Sequence, residues 1–160
     1  MEIGKRMSAS DPGLSLQFWN DLAVLDLNRT QLRSHLERKG VDPHALHRVE
    51  IAFDELVTNI IRHGYADQLA HRIGVEVRVA DNHVALIFDD DGREFDPSTA
   101  DLPTPPNSIE QARPGGLGLL LLRKMSSEIR YERLGARNRT LVKIGIRALG
   151  RERTSGKGTS

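Results

Sequence analysis

The chain has 160 residues, a net charge of +1 from 23 Lys and Arg against 22 Asp and Glu, and no cysteine. The missing cysteine excludes disulfide scaffolds, thiolate zinc sites and cysteine nucleophiles, and the balanced charge argues against a nucleic-acid binder relying on a broad basic field. With 28% charged and 38% hydrophobic residues, the composition is that of a soluble globular protein of single-domain size.

No apolar run approaches the roughly 20 residues needed to span a bilayer. The start, MEIGKRMSASDPG, has no hydrophobic stretch that could serve as a secretory signal. A cytoplasmic protein without a membrane segment is therefore expected, with one domain over residues 1–150 and a disordered Gly/Ser-rich tail over 151–160. LSLQF, Leu14 to Phe18, alternates apolar and polar and reads as a strand. From about Asn20 to Lys39, Leu22, Leu25, Leu32 and Leu36 recur at helical spacing, and Gly40 supplies a stop. Phe18 and Trp19 read as core, and Arg33, Arg38 and Lys39 as a solvated face on which a partner could also dock. The strongest helix follows: Asp42 can cap it, Pro43 suits its first turn, and Leu46, Val49, Phe53, Leu56, Val57 and Ile60 make one apolar stripe ending near His63-Gly64. His44 and His47 on it read as surface residues, with no third metal ligand in view.

Two β-rich runs, Ile73 to Val79 and Val84 to Phe88, are joined by a hairpin-like Ala80-Asp81-Asn82-His83. From Asp89 to Gly116 prolines interrupt any regular element, and a loop of that length is more often functional than idle. A Gly-Gly-Leu-Gly turn then opens a helix over Leu117 to Ser126, and Ile129 to Leu134 and Thr140 to Ile146 finish the chain as strands. The order β-α-α-β-β-loop-α-β-β predicts an α+β sandwich with helices on one face of an antiparallel or mixed sheet.

Three segments can carry chemistry. In VEIAFDELVTNIIRHGY, Glu55 and Asn59 lie one turn apart on the side away from the apolar stripe, with Arg48 and Arg62 nearby. Spacing alone favours a solvated face. A carboxylate there can accept a proton or orient a nucleophile, and an amide oxygen one turn on can ligate a hard cation such as Mg²⁺. In IFDDDGREFDP, three acids and a glycine close a strand. Alone this is a turn; Asp89, Asp90 and Asp91 could hold a metal only if consecutive side chains converged, so one buried carboxylate accepting from a ligand amine is the tighter use. In RPGGLGLLLLRKM, glycines 115, 116 and 118 let backbone N–H groups approach an anion at the positive end of a helix, although neither a P-loop nor a dinucleotide-binding pattern occurs.

Together, and in this order, a helix with Glu-x-x-x-Asn, Asp-x-Gly at a strand end, a Pro-rich segment and Gly-Gly-Leu-Gly-Leu resemble the Bergerat ATP-binding fold of the GHKL superfamily. ELVTNIIRHGY, DDGREFDP and GGLGLLLLRKMSSEIRYER are similar to the anti-sigma-factor serine kinases of the RsbW type, over nearly all of residues 14–147. The resemblance implies ATP with Mg²⁺, Asn59 as metal ligand and Glu55 as the residue activating the attacking group. It gives the adenine amino group to Asp90, room for the base to Gly92, the phosphates to backbone amides at Gly116 and Gly118, and support of the adenine end to Thr140. Glu94 stands where larger GHKL proteins have a second glycine, as is usual in the small anti-sigma kinases.

The activity so implied is phosphorylation of a STAS-domain anti-anti-sigma factor, coupled to sequestration of a sigma factor. A homodimer is implied by analogy, and no direct nucleic-acid or membrane partner. The alternative is an ATP-gated sequestering module with little or no kinase activity, which transfer of labelled phosphate would separate from the kinase. A histidine-kinase fragment is disfavoured because no helical hairpin with a phosphoacceptor histidine precedes the domain. The Pro-rich stretch from Asp96 to Pro114 is expected to close over the triphosphate.

Overall fold

A computed structural model describes residues 12–102 and 117–147. Its elements are β1 (Leu14–Trp19), a short 3-10 turn (Leu22–Val24), α1 (Leu25–Arg38), α2 (Pro43–His63), β2 (Arg72–Val79), β3 (His83–Asp90), α3 (Gly118–Met125), β4 (Ser126–Leu134) and β5 (Arg137–Gly145). The strands form one sheet in the order β1-β2-β3-β5-β4, and every neighbouring pair is antiparallel. The expected α+β two-layer sandwich is present, with a purely antiparallel sheet. Its inward side chains join Leu32 and Leu36 of α1, Val49, Phe53 and Val57 of α2, and Leu122 of α3 in one hydrophobic core.

Local chemistry accounts for the α2 boundaries. The Asp42 side chain accepts a hydrogen bond from Ala45 N at 2.9 Å, Pro43 opens the first turn, and Gly64 closes the helix through its N–H to Ile60 O. Phe53, fully buried, lies between Phe18 of β1 and Phe88 of β3, with ring centroids 6.3 and 6.5 Å apart. Gly40 adopts φ 74° where the chain leaves α1, a conformation that favours glycine. Two arginines of α1 bind acids of α2: Arg33 grips Glu50 at 2.8 and 2.7 Å, and Arg29 grips Asp54 at 3.1 and 3.0 Å. Arg33 remains on the solvated face read from sequence, and from there it pairs with the buried Glu50.

Several boundaries differ from the sequence reading, each for a physical reason. Phe18 is core, but Trp19 is 51% exposed, because successive strand residues point to opposite faces and the helices cover only one. Its ring lies 5.2 Å from the Arg72 guanidinium carbon instead. The helix expected from Asn20 begins only at Leu25, after the 3-10 turn that Asp21 caps. Strand β3 runs on through Asp89 and Asp90, and β5 begins at Arg137, because these polar residues pair with one another across the ladder. Residues 103–116, including Gly116 and most of the Pro-rich stretch, lie outside the described residues, as does the expected tail over 151–160. Within the described residues no helix is long and apolar enough to cross a membrane.

Replacing Phe53 by Ala should destabilise the fold by about 3–5 kcal/mol, the cost of a large buried aromatic site that cannot collapse. Urea unfolding followed by circular dichroism measures this, and a loss below about 1 kcal/mol would mean that the ring does not hold the two layers together.

Candidate functional site

A cleft of about 590 Å³ opens between the polar side of α2, the ends of β3 and β5, and the start of α3. Helix α2 contributes Glu55 and Asn59 to one wall, as their one-turn spacing predicts, and Arg62 and His63 beyond them. Arg48, expected near this pair, is absent from the lining and donates to Gly145 O at 2.8 Å, tying α2 to the end of β5. Phe88 and Thr140 face the cleft from adjacent strands and are register partners.

The three consecutive acids after Phe88 have three separate tasks. Asp89, on the open face of the sheet, pairs with Arg139 at 3.0 and 3.1 Å. Asp90 turns inward and is 4% exposed. Asp91 faces outward and meets His71 Nδ1 at 3.2 Å. Their divergence removes the three-acid metal site, and among the described residues no cluster of three His, Cys, Asp or Glu could hold a metal.

Asp90 is held by two donors on the same oxygen: Gly92 N–H at 2.9 Å and Asn138 Nδ2 at 2.8 Å, both to Oδ1. Among the described residues both hydrogen bonds to the carboxyl go to Oδ1, and Asp90 lines the cleft, so Oδ2 is left to accept from a group that enters. Burial pushes the Asp90 carboxyl above its ordinary range, and the bonds from Asn138 and Gly92 pull the other way by favouring the ionised form. Gly92 has no room for a side chain: a Cβ there would stand 2.9 Å from both Asp90 Oδ1 and Gly64 O. The next amide, Arg93 N–H, donates to Gly64 O at 2.7 Å and fastens the Asp-x-Gly turn to the end of α2.

At the other end of the cleft, Gly118 opens α3, whose first turn has no side-chain cap. The Glu55 carboxylate lies directly over it; a Cβ on Gly118 would fall 1.7 Å from Glu55 Oε2. Burial, reinforced by the charge of Asp54, raises the Glu55 proton affinity above the ordinary carboxylate value, with Arg62 opposing. A carboxylate of this kind is suited to accept a proton. Arg123 of α3 donates to the carbonyls of Pro97 at 2.9 Å and of Ala100, so the first turn of the Pro-rich stretch is anchored to α3.

Of the residues expected from sequence, Glu55, Asn59, Asp90 and Thr140 line this one cleft, and Gly92 and Gly118 stand against Asp90 and Glu55. Asn138 and Arg123 were missed. Extending the inward alternation of Ile144, Val142 and Thr140 back by two residues reaches Asn138, but its polarity and the turn at Gly135 disguise the strand start. Arg123 carries no sequence signal beyond its position on a helix.

Residues 18–144 match the family model described as the histidine kinase-like ATPase domain. The chain belongs to this family. Within it, the chain is 26% identical over 130 residues to the serine-protein kinase RsbW of Bacillus velezensis, covering 79% of this chain and 81% of that protein. It is 28% identical over 108 residues to RsbW of Bacillus subtilis, covering 65% and 68%. The serine/threonine-protein kinase BtrW of Bordetella bronchiseptica is 32% identical over 80 residues, covering 50% and 56%. In three dimensions the fold matches a crystal structure of the RsbU and RsbW domains of a Mycobacterium tuberculosis protein, with a TM-score of 0.62 at 21% identity, over 86% of this chain and 33% of that one. Within the family the chain is thus similar in sequence to RsbW-type kinases, and its fold is that of the matched crystal structure.

A charged cluster lies outside the cleft lining. His71 lies between Asp67, 2.7 Å from Nε2, and Asp91, with Tyr65 stacked on its ring at 4.2 Å. The hydrogen bond to Asp67, then that to Asp91, raises the His71 pKa above its ordinary 6.5. The stabilisation is therefore complete below the unfolded-state value and is lost as pH rises through the raised one. Proton NMR titration should find His71 above 6.5, and Asp67→Asn should move it down; an unmoved value would remove Asp67 as the cause.

Proposed function

We propose that this protein is a Mg-ATP-dependent protein-serine/threonine kinase that phosphorylates a STAS-domain anti-anti-sigma factor and sequesters a sigma factor when that partner is released. The observation that carries the reading is one cleft with a buried carboxylate at one end, presenting an acceptor to a base, and a carboxylate and amide one helical turn apart on the same wall. The RsbW-type relatives and the family match support it. A cytoplasmic location and a homodimer belong to the same proposal, the dimer by analogy alone.

In this reading ATP enters with its adenine amino group donating to Asp90 Oδ2, its base against Phe88 and Thr140, and its phosphates toward Gly118. Arg62 lines the same wall and can pair with phosphate oxygens. Mg²⁺ neutralises phosphate charge when bound, and the side-chain oxygen of Asn59 is the protein ligand offered to it. One amide oxygen suits Mg²⁺, which keeps several waters and relies on substrate phosphates rather than on an all-protein cage.

The partner hydroxyl oxygen forms a bond to the γ-phosphorus while the bond to the bridging oxygen breaks, leaving ADP. Glu55 takes the hydroxyl proton. Phosphoryl transfer of this kind needs positioning and charge neutralisation more than covalent help from the protein.

Glu55→Ala should keep nucleotide binding and lower transfer by about 10²–10⁴-fold, as expected for loss of a positioned base. Asn59→Ala should weaken both Mg-ATP binding and transfer. Transfer of labelled phosphate to the cognate partner measures this; a Glu55 variant working at the parent rate removes Glu55 from the chemistry, and binding without transfer by the parent leaves a sequestering module. Asp90→Ala should lower ATP affinity by about ten- to a hundredfold, because a hydrogen bond to a charged group is worth about 1.5–3 kcal/mol, while GTP affinity barely moves. Calorimetric titration with Mg²⁺ present tests this, and unchanged ATP affinity would place the base elsewhere.

A further inference from the structure

Beside Asp90 a buried polar chain runs from Asn138, which itself lines the cleft, back to β4, and it governs what Asp90 presents. Asn138 is 3% exposed and stands opposite Asp90 in the β3–β5 register. Its Nδ2 donates to Asp90 Oδ1 at 2.8 Å, to Arg93 O at 3.0 Å and to Gly92 O at 3.3 Å. Its Oδ1 accepts from the Tyr131 hydroxyl and from Arg133 Nη1, both at 2.7 Å and both from β4. Arg133 Nη1 also donates to Gly92 O at 2.8 Å, so it braces the Asp-x-Gly turn directly.

An arginine can only donate, so the carbonyl end of Asn138 must face it. The opposite end meets a carboxylate oxygen and two main-chain carbonyls, which can only accept. Reversing the amide would set donors against a donor on one side and acceptors against three acceptors on the other. The amide therefore has a single allowed orientation, and it delivers an N–H to Asp90 Oδ1. With Gly92 N–H on the same atom, Oδ1 is saturated and the carboxylate plane is fixed. Oδ2 is then the oxygen left for a group in the cleft, and only an acceptor when the carboxyl is ionised.

We infer that Asn138, oriented by Arg133, is a positioning residue that makes this site select nucleobases offering a donor over those offering a carbonyl. The inference rests on the proposed contact between Asp90 and the base. Without the Asn138 amide, Asp90 keeps one donor on Oδ1, is free to turn, and holds a proton more readily. A protonated Asp90 can donate to a carbonyl, so the penalty against the guanine O6 relaxes. The charged and titratable groups around Asp90 are Asp91 beside it, Arg137 at the start of β5, Tyr65 after α2, Arg133 behind Asn138 and Arg93 in the same cleft lining. None of these replaces the Asn138 donor.

The test is calorimetric titration of the full chain with Mg-ADP and Mg-GDP, which avoids turnover, for the parent, Asn138→Ser, Arg133→Met and Asp90→Ala. Asn138→Ser should lower the ADP-over-GDP preference by about tenfold, mostly through weaker ADP binding. Arg133→Met, on a half-buried side chain whose loss the fold can absorb, should lower it in the same direction by about threefold. In Asn138→Ser the acid limb of ADP binding should also move to higher pH, because a donor favouring the ionised Asp90 is gone. Equal weakening of ADP and GDP, with an unmoved pH profile, would make Asn138 merely structural and overturn the inference. If Asn138→Ser does not fold, an unchanged preference in Arg133→Met overturns it alone. A collapse of preference in Asp90→Ala with none in the other two variants overturns this inference and spares the base contact, whereas an Asp90→Ala variant that binds ADP like the parent removes the base contact itself.

Discussion

The hydrogen bond from Asn138 to Asp90 ties the sheet to the cleft, and it exists only because β3 and β5 lie side by side in an antiparallel register. The two strands are separated in sequence by the Pro-rich stretch, α3 and β4, so closing the sheet is what brings the two side chains together. That same register sets Phe88 beside Thr140 and so forms the floor of the cleft. A shift of one residue would send Asp90 and Asn138 to opposite faces of the sheet, with the buried carboxylate left unpaired.

Helix α2 does two jobs with two sides. Phe53, Val49 and Val57 are sunk in the core, and that packing fixes the rotation of the helix about its axis. Glu55 and Asn59 then have no choice of direction: once the apolar stripe is buried, they face the cleft. Between the two sides, Glu50 and Asp54 are held by arginines of α1, so acids that would otherwise repel one another along the helix are compensated. The part of the Asp54 charge that still reaches Glu55 favours a proton there, which suits an acceptor of protons.

Charge in this molecule is allocated residue by residue rather than by field. A net charge of +1 leaves no dominant potential, and acids are matched locally: Asp89 with Arg139, Asp91 with His71, Glu128 with Lys143. Asp90 has no ion pair among the described residues; two neutral donors, Gly92 N–H and Asn138 Nδ2, hold one of its oxygens instead.

Composition and pattern by themselves determined much: the layered α+β class, α2 from cap to stop, the Glu55 and Asn59 pair, and the Asp-x-Gly and glycine-rich segments whose order carries the family resemblance. These features are local, set by helical spacing, capping chemistry and the geometry of single turns. The tertiary structure decided which of the three consecutive acids is buried, because only strand pairing tells one face of β3 from the other. It put Trp19 on the uncovered face while Phe18 entered the core, a matter of which side the helices lie on. It also recruited Asn138, 48 positions from Asp90 along the chain, and a hydrogen bond across that separation leaves no trace in sequence spacing until the sheet is closed.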